Sequence, residues 1–182
     1  MISYSIARFV KEGHPDPLQN VSVYFPYSFH NILIHQNETY AYALQRFWAL
    51  RPYQGILVLE HDIVVSSDTF SLLDIVIQYF PNYIIGVPYF LNPSTTLLKH
   101  SVLAHRRDLS IPFPMQWNSH HLASPIQRLE SFGLGCTYLP LSVLPLINPN
   151  WDYPLFDSQL SEVVYPHIPA FSPMSLLAVH LH

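Results

Sequence analysis

The chain has 182 residues, of which 49% are apolar and 11% charged, with a formal net charge of −4. That is ample apolar material for one core, too hydrophobic for a disordered chain, and without the basic run that binding a nucleic-acid backbone requires. The single cysteine, Cys136, excludes an intramolecular disulfide and a cysteine-based zinc cage. No apolar run reaches the ~18 residues of a membrane span. The N-terminus, with Arg8 and Lys11 inside its apolar stretch, lacks the order of a signal peptide, so a cytoplasmic location is expected. Low charge and many aromatics leave room for a partner surface, so a homo-oligomer is one expectation.

"ISYSIARF" alternates as a strand does. "HPDPLQN" is a proline-rich loop, "VSVYF" a strand or extended loop, and "NILIH" a short apolar strand. From Glu38 to Leu50 the spacing becomes helical: Tyr40, Leu44, Phe47 and Trp48 share one face, with Asn37 as the expected N-cap and Pro52 beyond the end. Gly55 then opens Ile56–Leu59, apolar on both faces like a central parallel strand. Ser67 or Asp68 caps a second helix with the stripe Phe70, Leu73, Ile77 and Phe80, and Pro81-Asn82 stops it. "YIIGVPYF" reads as the next strand.

This rhythm predicts an α/β fold with a mostly parallel central sheet flanked by helices. Further on, "SVLAHRR" reads as a strand outside the parallel set and residues 110–126 as a long loop. "FGLGCTYLP" is a strand entered through a glycine turn, "LSVLPLI" a short helix and "NPNWDYPLF" a turn-rich aromatic segment. "DSQLSEVVY" places Leu160, Val163 and Val164 at helical spacing, and the tail ends in "LLAVHLH". One domain is expected over 1–182, with residues 1–90 as the half that binds donor and metal and 91–182 as the acceptor and catalytic half.

The chemistry begins where "GILVLEHDIVV" breaks its apolar run with Glu60, His61 and Asp62. In open α/β sheets ligands gather at the carboxyl ends of strands, and a carboxylate there needs a cation or donors. Positions i and i+2 of a strand share a side, so Glu60 and Asp62 could face one ion with His61 opposite. The plain alternative is that Asp62 caps a turn and His61 satisfies backbone groups.

"LEHDIVVS", the following "FGLGCTYLP", the carboxylate-bearing "WDYPLFDSQLSE" and the late histidines of "AVHLH" together resemble glycosyltransferases of the GT-A fold. In that family a strand ends in an acidic "DXD-like" motif that holds a metal and the diphosphate of a nucleotide sugar. The resemblance implies Mn²⁺ or Mg²⁺, a nucleotide-sugar donor with a UDP-sugar favoured, and an unknown hydroxyl acceptor. It implies Glu60 in the first acidic place, with Asp62 and a tail histidine, His180 or His182, as metal ligands. Asn37, in "HQNETY", would meet the base or ribose, and Arg8 a phosphate. Glu replaces the more usual first Asp, the chain is short for the fold, and no "DDGS"-type stretch follows the second strand.

An inverting transfer needs a base for the acceptor hydroxyl. Asp157, at the start of the last helix, is the first candidate and Glu162 the second. Five residues apart they are rotated by about 140°, so they do not readily face one site together. Asp152 is a further option, although "WDYP" reads as a turn. Trp117, Trp151 and Tyr153 could stack on a sugar or pack the core, and His120 and His121 fall in the long loop. Two competing readings remain: a metal-dependent nucleotidyltransferase or hydrolase using the same carboxylates, and a catalytically silent binding module on a transferase-like fold.

Overall fold

The computed structural model describes residues 1–14, 29–60, 63–65, 67–90, 98–100, 126–129, 132–164, 166–173 and 178–180. Three apolar runs, β1 (Tyr4–Lys11), β2 (His30–Ile34) and β3 (Gly55–Leu59), pair in parallel, with Ala7 opposite His30 and Arg8 opposite Leu59. Between β2 and β3 the helical stripe forms α1 (Tyr40–Ala49), which buries Leu44, Phe47 and Trp48. After β3 come a short strand β4 (Ile63–Val65) and α2 (Ser67–Tyr79), which buries Phe70, Leu73 and Ile77.

"YIIGVPYF" does not form one strand. It divides into β5 (Ile84–Gly86) and β6 (Pro88–Phe90), which belong to different sheets. The remaining elements are β7 (Leu98–His100), β8 (Ile126–Leu129), β9 (Cys136–Pro140), a 3-10 helix (Leu141–Leu146), α3 (Phe156–Val164), β10 (Ala170–Pro173) and β11 (Ala178–His180).

The main sheet runs β2-β1-β3-β9-β5-β10-β8. Five of its seven described strands, β1, β2, β3, β5 and β10, point the same way, so the mostly parallel expectation holds. β3 lies inside the sheet, with β1 on one side and β9 on the other. β9 is inserted antiparallel between β3 and β5, and the edge strand β8 is antiparallel to β10. A second sheet, β4-β11-β6-β7, holds the tail strand.

Two apolar layers cover the main sheet. On one face Ala7, Phe9, Ile32, Ile56 and Val58 pack with α1, the 3-10 helix and α3. On the other, Leu57, Leu59, Ile85 and Tyr138 pack with α2 and β4. Alternation along β1 and β3 directs successive side chains into the two layers in turn.

Three local expectations change. Thr39, not Asn37, caps α1: its hydroxyl accepts the N–H of Tyr42 at 3.1 Å, while Asn37 sits in the preceding turn with φ 72°. Within α3, Val163 is exposed, and the buried face is Phe156, Leu160, Ser161 and Val164. The Ser161 hydroxyl earns its burial by accepting the Phe132 N–H at 2.9 Å. Arg8, expected to meet a phosphate, lies within β1 and is 5% exposed. "VSVYF", "SVLAHRR" and the loop with Trp117, His120 and His121 fall outside the described residues.

Candidate functional site

The carboxyl ends of β1, β2 and β3 form one rim, because the three strands are parallel and in register. At that rim the apolar run of β3 stops at buried Leu59 and gives way to half-buried Glu60. The Glu60 N–H donates to the Gly135 carbonyl at 3.0 Å, which fastens the strand end to the glycine turn before β9. Its own carbonyl accepts the Ile63 N–H at 3.2 Å, which ties the first residue of β4 to the end of β3.

The N-terminus of α1 stands at the same rim, since α1 follows β2 directly. Its first residue, Tyr40, is held by a residue far along the chain: Asp152 Oδ1 accepts the Tyr40 N–H at 3.2 Å and the Tyr153 N–H at 2.9 Å. Thr39 adds a hydroxyl contact to the Pro149 carbonyl. Asp152 is therefore a cap supplied across the fold, where its side-chain oxygen meets an N–H that the helix leaves unpaired.

The rings of Phe9, Tyr40, Tyr153 and Phe156 gather beside it. The Phe9–Tyr40 centroids are 5.0 Å apart, Tyr40–Tyr153 6.0 Å and Tyr40–Phe156 6.4 Å. Burial raises the Tyr40 phenol above its ordinary pKa, and the charges of Asp152, Tyr153 and Glu60 push it the same way. Tyr40 thus stays neutral and is a hydroxyl donor near negative charge.

Asp157 lies in the first turn of α3, next to Phe156 of this aromatic group, and is half-buried. Its Oδ1 accepts the Ser158 N–H at 2.8 Å. Glu162 is exposed on the same helix. Asn37 is exposed at the rim turn between β2 and α1. Glu38 stiffens that turn. Burial acts to raise its carboxyl pKa, but the His35 N–H and the Arg46 guanidinium outweigh it and hold the pKa below its usual value. The Arg46 contacts are 2.9 and 3.1 Å.

Arg8 carries a buried positive charge in β1. Its Nε donates to Asn31 Oδ1 at 3.2 Å and its guanidinium lies 4.3 Å from the Phe29 ring centroid. The backbone register sets it beside Leu59, one residue before Glu60.

β11 runs antiparallel to β4, with His180 opposite Ile63, the residue that follows Asp62 in the sequence. His61, Asp62 and His182 lie outside the described residues. Among the described residues no group of three His, Cys, Asp or Glu side chains is arranged to hold a metal ion. Trp151 is half-buried against the core and its carbonyl accepts the Ala41 N–H at 3.2 Å, a packing role. The sequence placed Tyr40 on the packed face of a helix and did not single out Phe9, so neither read as a rim residue. The usable signal was the position of Tyr40 as the first helical residue after a rim loop.

No family model matches the sequence, and no curated protein matches it. Solved structures do resemble the fold. A197 from STIV is 18% identical with a TM-score of 0.54, covering 98% of this chain and 86% of that one. GalNAc-T7, solved with UDP, GalNAc and Mn²⁺, is 9% identical with a TM-score of 0.60; all of this chain is covered, and it spans 44% of GalNAc-T7. UDP-glucose pyrophosphorylase complexed with UDP-glucose is 9% identical with a TM-score of 0.51, covering 93% of this chain and 72% of that one. At these identities the likeness is one of fold alone, an α/β architecture that this chain shares with these proteins. No described helix is long and apolar enough to cross a membrane.

Proposed function

We propose that the chain is a metal-dependent glycosyltransferase that moves a sugar from a nucleotide-diphosphate donor, with a UDP-sugar favoured, to a hydroxyl acceptor. The observation that supports this reading is the rim itself: Glu60 stands where the parallel strand β3 ends, Phe156 at the start of α3 packs on Phe9 and Tyr40 beside it, and β11 pairs with β4, the strand that follows. The likeness in fold to GalNAc-T7 and UDP-glucose pyrophosphorylase supports it.

Carboxylate oxygens and one imidazole suit Mn²⁺ or Mg²⁺. Asp62, Glu60 and a tail histidine, His180 or His182, would hold the ion, and the ladder that sets His180 opposite Ile63 keeps the tail beside this segment. When bound, the ion would offset charge on the donor diphosphate. In this reading Arg8 and Asn37 bind the donor, and Asp157 takes the proton of the acceptor hydroxyl as its oxygen attacks the anomeric carbon. Glu162, exposed on the next turns of α3, is the alternative base.

The test is a thermal-shift screen of UDP, UDP-sugars and other nucleotides with and without Mn²⁺, because a ligand that binds the folded state raises its apparent stability. Metal-dependent stabilisation by a nucleotide sugar is expected, and no response to any would overturn the reading. Asp157→Asn should keep donor binding and lose about 10²–10⁴-fold in transfer, whereas Asp62→Asn should weaken metal-dependent donor binding itself. Transfer at the wild-type rate by Asp157→Asn would move the base to Glu162 or to a retaining mechanism. The likeness to UDP-glucose pyrophosphorylase favours nucleotidyl transfer as the second reading. It is told apart by product: pyrophosphate from a nucleoside triphosphate rather than nucleoside diphosphate from a sugar nucleotide.

A further inference from the structure

The loop before α3 is fastened along its length. The Trp151 N–H donates to the Asn148 carbonyl at 3.1 Å, the Asn150 N–H to Asn148 Oδ1 at 3.0 Å and the Leu155 N–H to the Asp152 carbonyl at 3.1 Å. The start of α1 grips the same loop from across the fold. The Thr39 hydroxyl donates to the Pro149 carbonyl, the Ala41 N–H to the Trp151 carbonyl and the Tyr40 N–H to Asp152 Oδ1.

This firmly held loop presents apolar side chains to water: Tyr153 is 74% exposed and Leu155 60%. A lone exposed aromatic on a loose loop needs no explanation. Tyr153 differs, because its N–H is held by Asp152 Oδ1 and its ring lies 6.0 Å from the Tyr40 ring at an interplanar angle of 33°. A surface ordered in advance lowers the cost of ordering it on binding. Tyr40 joins this surface to the carboxylates of the rim. It feels the charges of Asp152 and Glu60, and its ring is 6.4 Å from that of Phe156, the residue before Asp157.

We infer that Tyr153 is a stacking platform for the acceptor, and that the acceptor is a carbohydrate. The inference rests on the transferase reading and names its substrate class. A pyranose carries a face of C–H groups, which matches the negative face of an aromatic ring. It also carries a rim of hydroxyls, which donate to ionised carboxylates. Tyr153 offers the ring, and Asp157, at the start of the next helix, offers the carboxylate. A serine or threonine side chain brings a hydroxyl but no such flat C–H face. Tyr153 binds and orients the acceptor, and the proton still passes to Asp157.

The test is an NMR titration of the ¹⁵N-labelled chain, with and without UDP and Mg²⁺. The probes are methyl glycosides of glucose, galactose, mannose and N-acetylglucosamine, with N-acetylserine amide as the peptide-like hydroxyl. At least one glycoside should shift the amides of Tyr40, Tyr153 and Leu155 saturably. Tyr153→Ala should weaken that binding about tenfold, the ratio that 1.4 kcal/mol supplies, with the thermal midpoint unchanged. Tyr153→Phe should keep wild-type affinity, because the ring face and not the hydroxyl makes the contact. Saturable shifts located elsewhere, tighter binding of the serine amide, or equal affinity in Tyr153→Ala would each overturn the proposal. The two readings fail separately. Binding of a UDP-sugar with no glycoside shift sinks the carbohydrate acceptor alone, and glycoside shifts at Tyr153 with no response to any nucleotide sink the transferase reading and leave a carbohydrate site.

Discussion

Gly55 opens β3 directly against Tyr138 of β9, and a Cβ at that position would run into the phenol ring. The ring cannot move aside freely, since its hydroxyl donates to the Pro81 carbonyl at 2.9 Å and Tyr4 packs edge-on at 5.8 Å. Gly55→Ala should therefore cost about 1–3 kcal/mol, read as a fall in the thermal midpoint of about 2–4 °C per kcal/mol for a chain of this size. A midpoint equal to wild type would show that the sheet yields there. Tyr138 also carries a pH signature. Burial pushes its phenol up to about 12, so the folded state holds the proton more tightly than the unfolded chain, where the value is ordinary. Stability from this group is complete below about pH 10 and is lost as the pH rises towards 12. Denaturant midpoints measured from pH 9 to 12 should fall less steeply in Tyr138→Phe than in wild type. Ser5 works in the opposite sense: its Oγ is buried and has no hydrogen-bond partner among the described residues. Ser5→Ala removes a desolvated polar atom and should raise stability by about 1 kcal/mol, measurable by the same melts.

Among the elements, α1 depends most on distant residues. Its own sequence places no acidic residue in the first turn, and Asp152 provides the carboxylate from the loop before α3. Asp152→Ala should cost about 1 kcal/mol of stability, and Asp152→Asn, which keeps an acceptor oxygen, clearly less; urea midpoints separate the two. A loss confined to transfer, with no change in midpoint, would instead make Asp152 part of the chemistry. Both long helices were readable beforehand, because Leu44, Phe47 and Trp48, and again Phe70, Leu73 and Ile77, repeat at the helical period whatever surrounds them. Caps were not. Asn37 had the right residue type in the right place, but Thr39 took the role and left Asn37 in a left-handed turn, a choice made by backbone geometry. The division of "YIIGVPYF" between two sheets had no local signal either, since both halves are apolar and extended.

At the scale of the molecule, the strand–helix rhythm gave the layering and a common direction for β2, β3 and β5, because connections through helices favour parallel strands, whereas β10 was not read as a strand at all. The same rhythm located the acidic segment at a strand end. The ring cluster of Phe9, Tyr40 and Phe156 was hidden because it joins three elements distant in sequence. β9 was hidden for the same reason: it is a strand by composition, but its place depends on partners encoded long before it. That place sets a timetable for folding. A chain emerging from the ribosome makes β3 and β5 early and must hold both edges open until β9 is available to enter between them. Such a distant, late closure is slow, and exposed strand edges invite aggregation meanwhile. The single thiol happens to be the clock. Cys136 is the first residue of β9, fully buried, with burial holding its thiol protonated and inert. In pulsed alkylation during refolding it should stay reactive after the helical signal of α1 and α2 has returned, then become protected in one later step. Protection that arrives together with the helices would mean that the centre of the sheet nucleates folding instead of completing it.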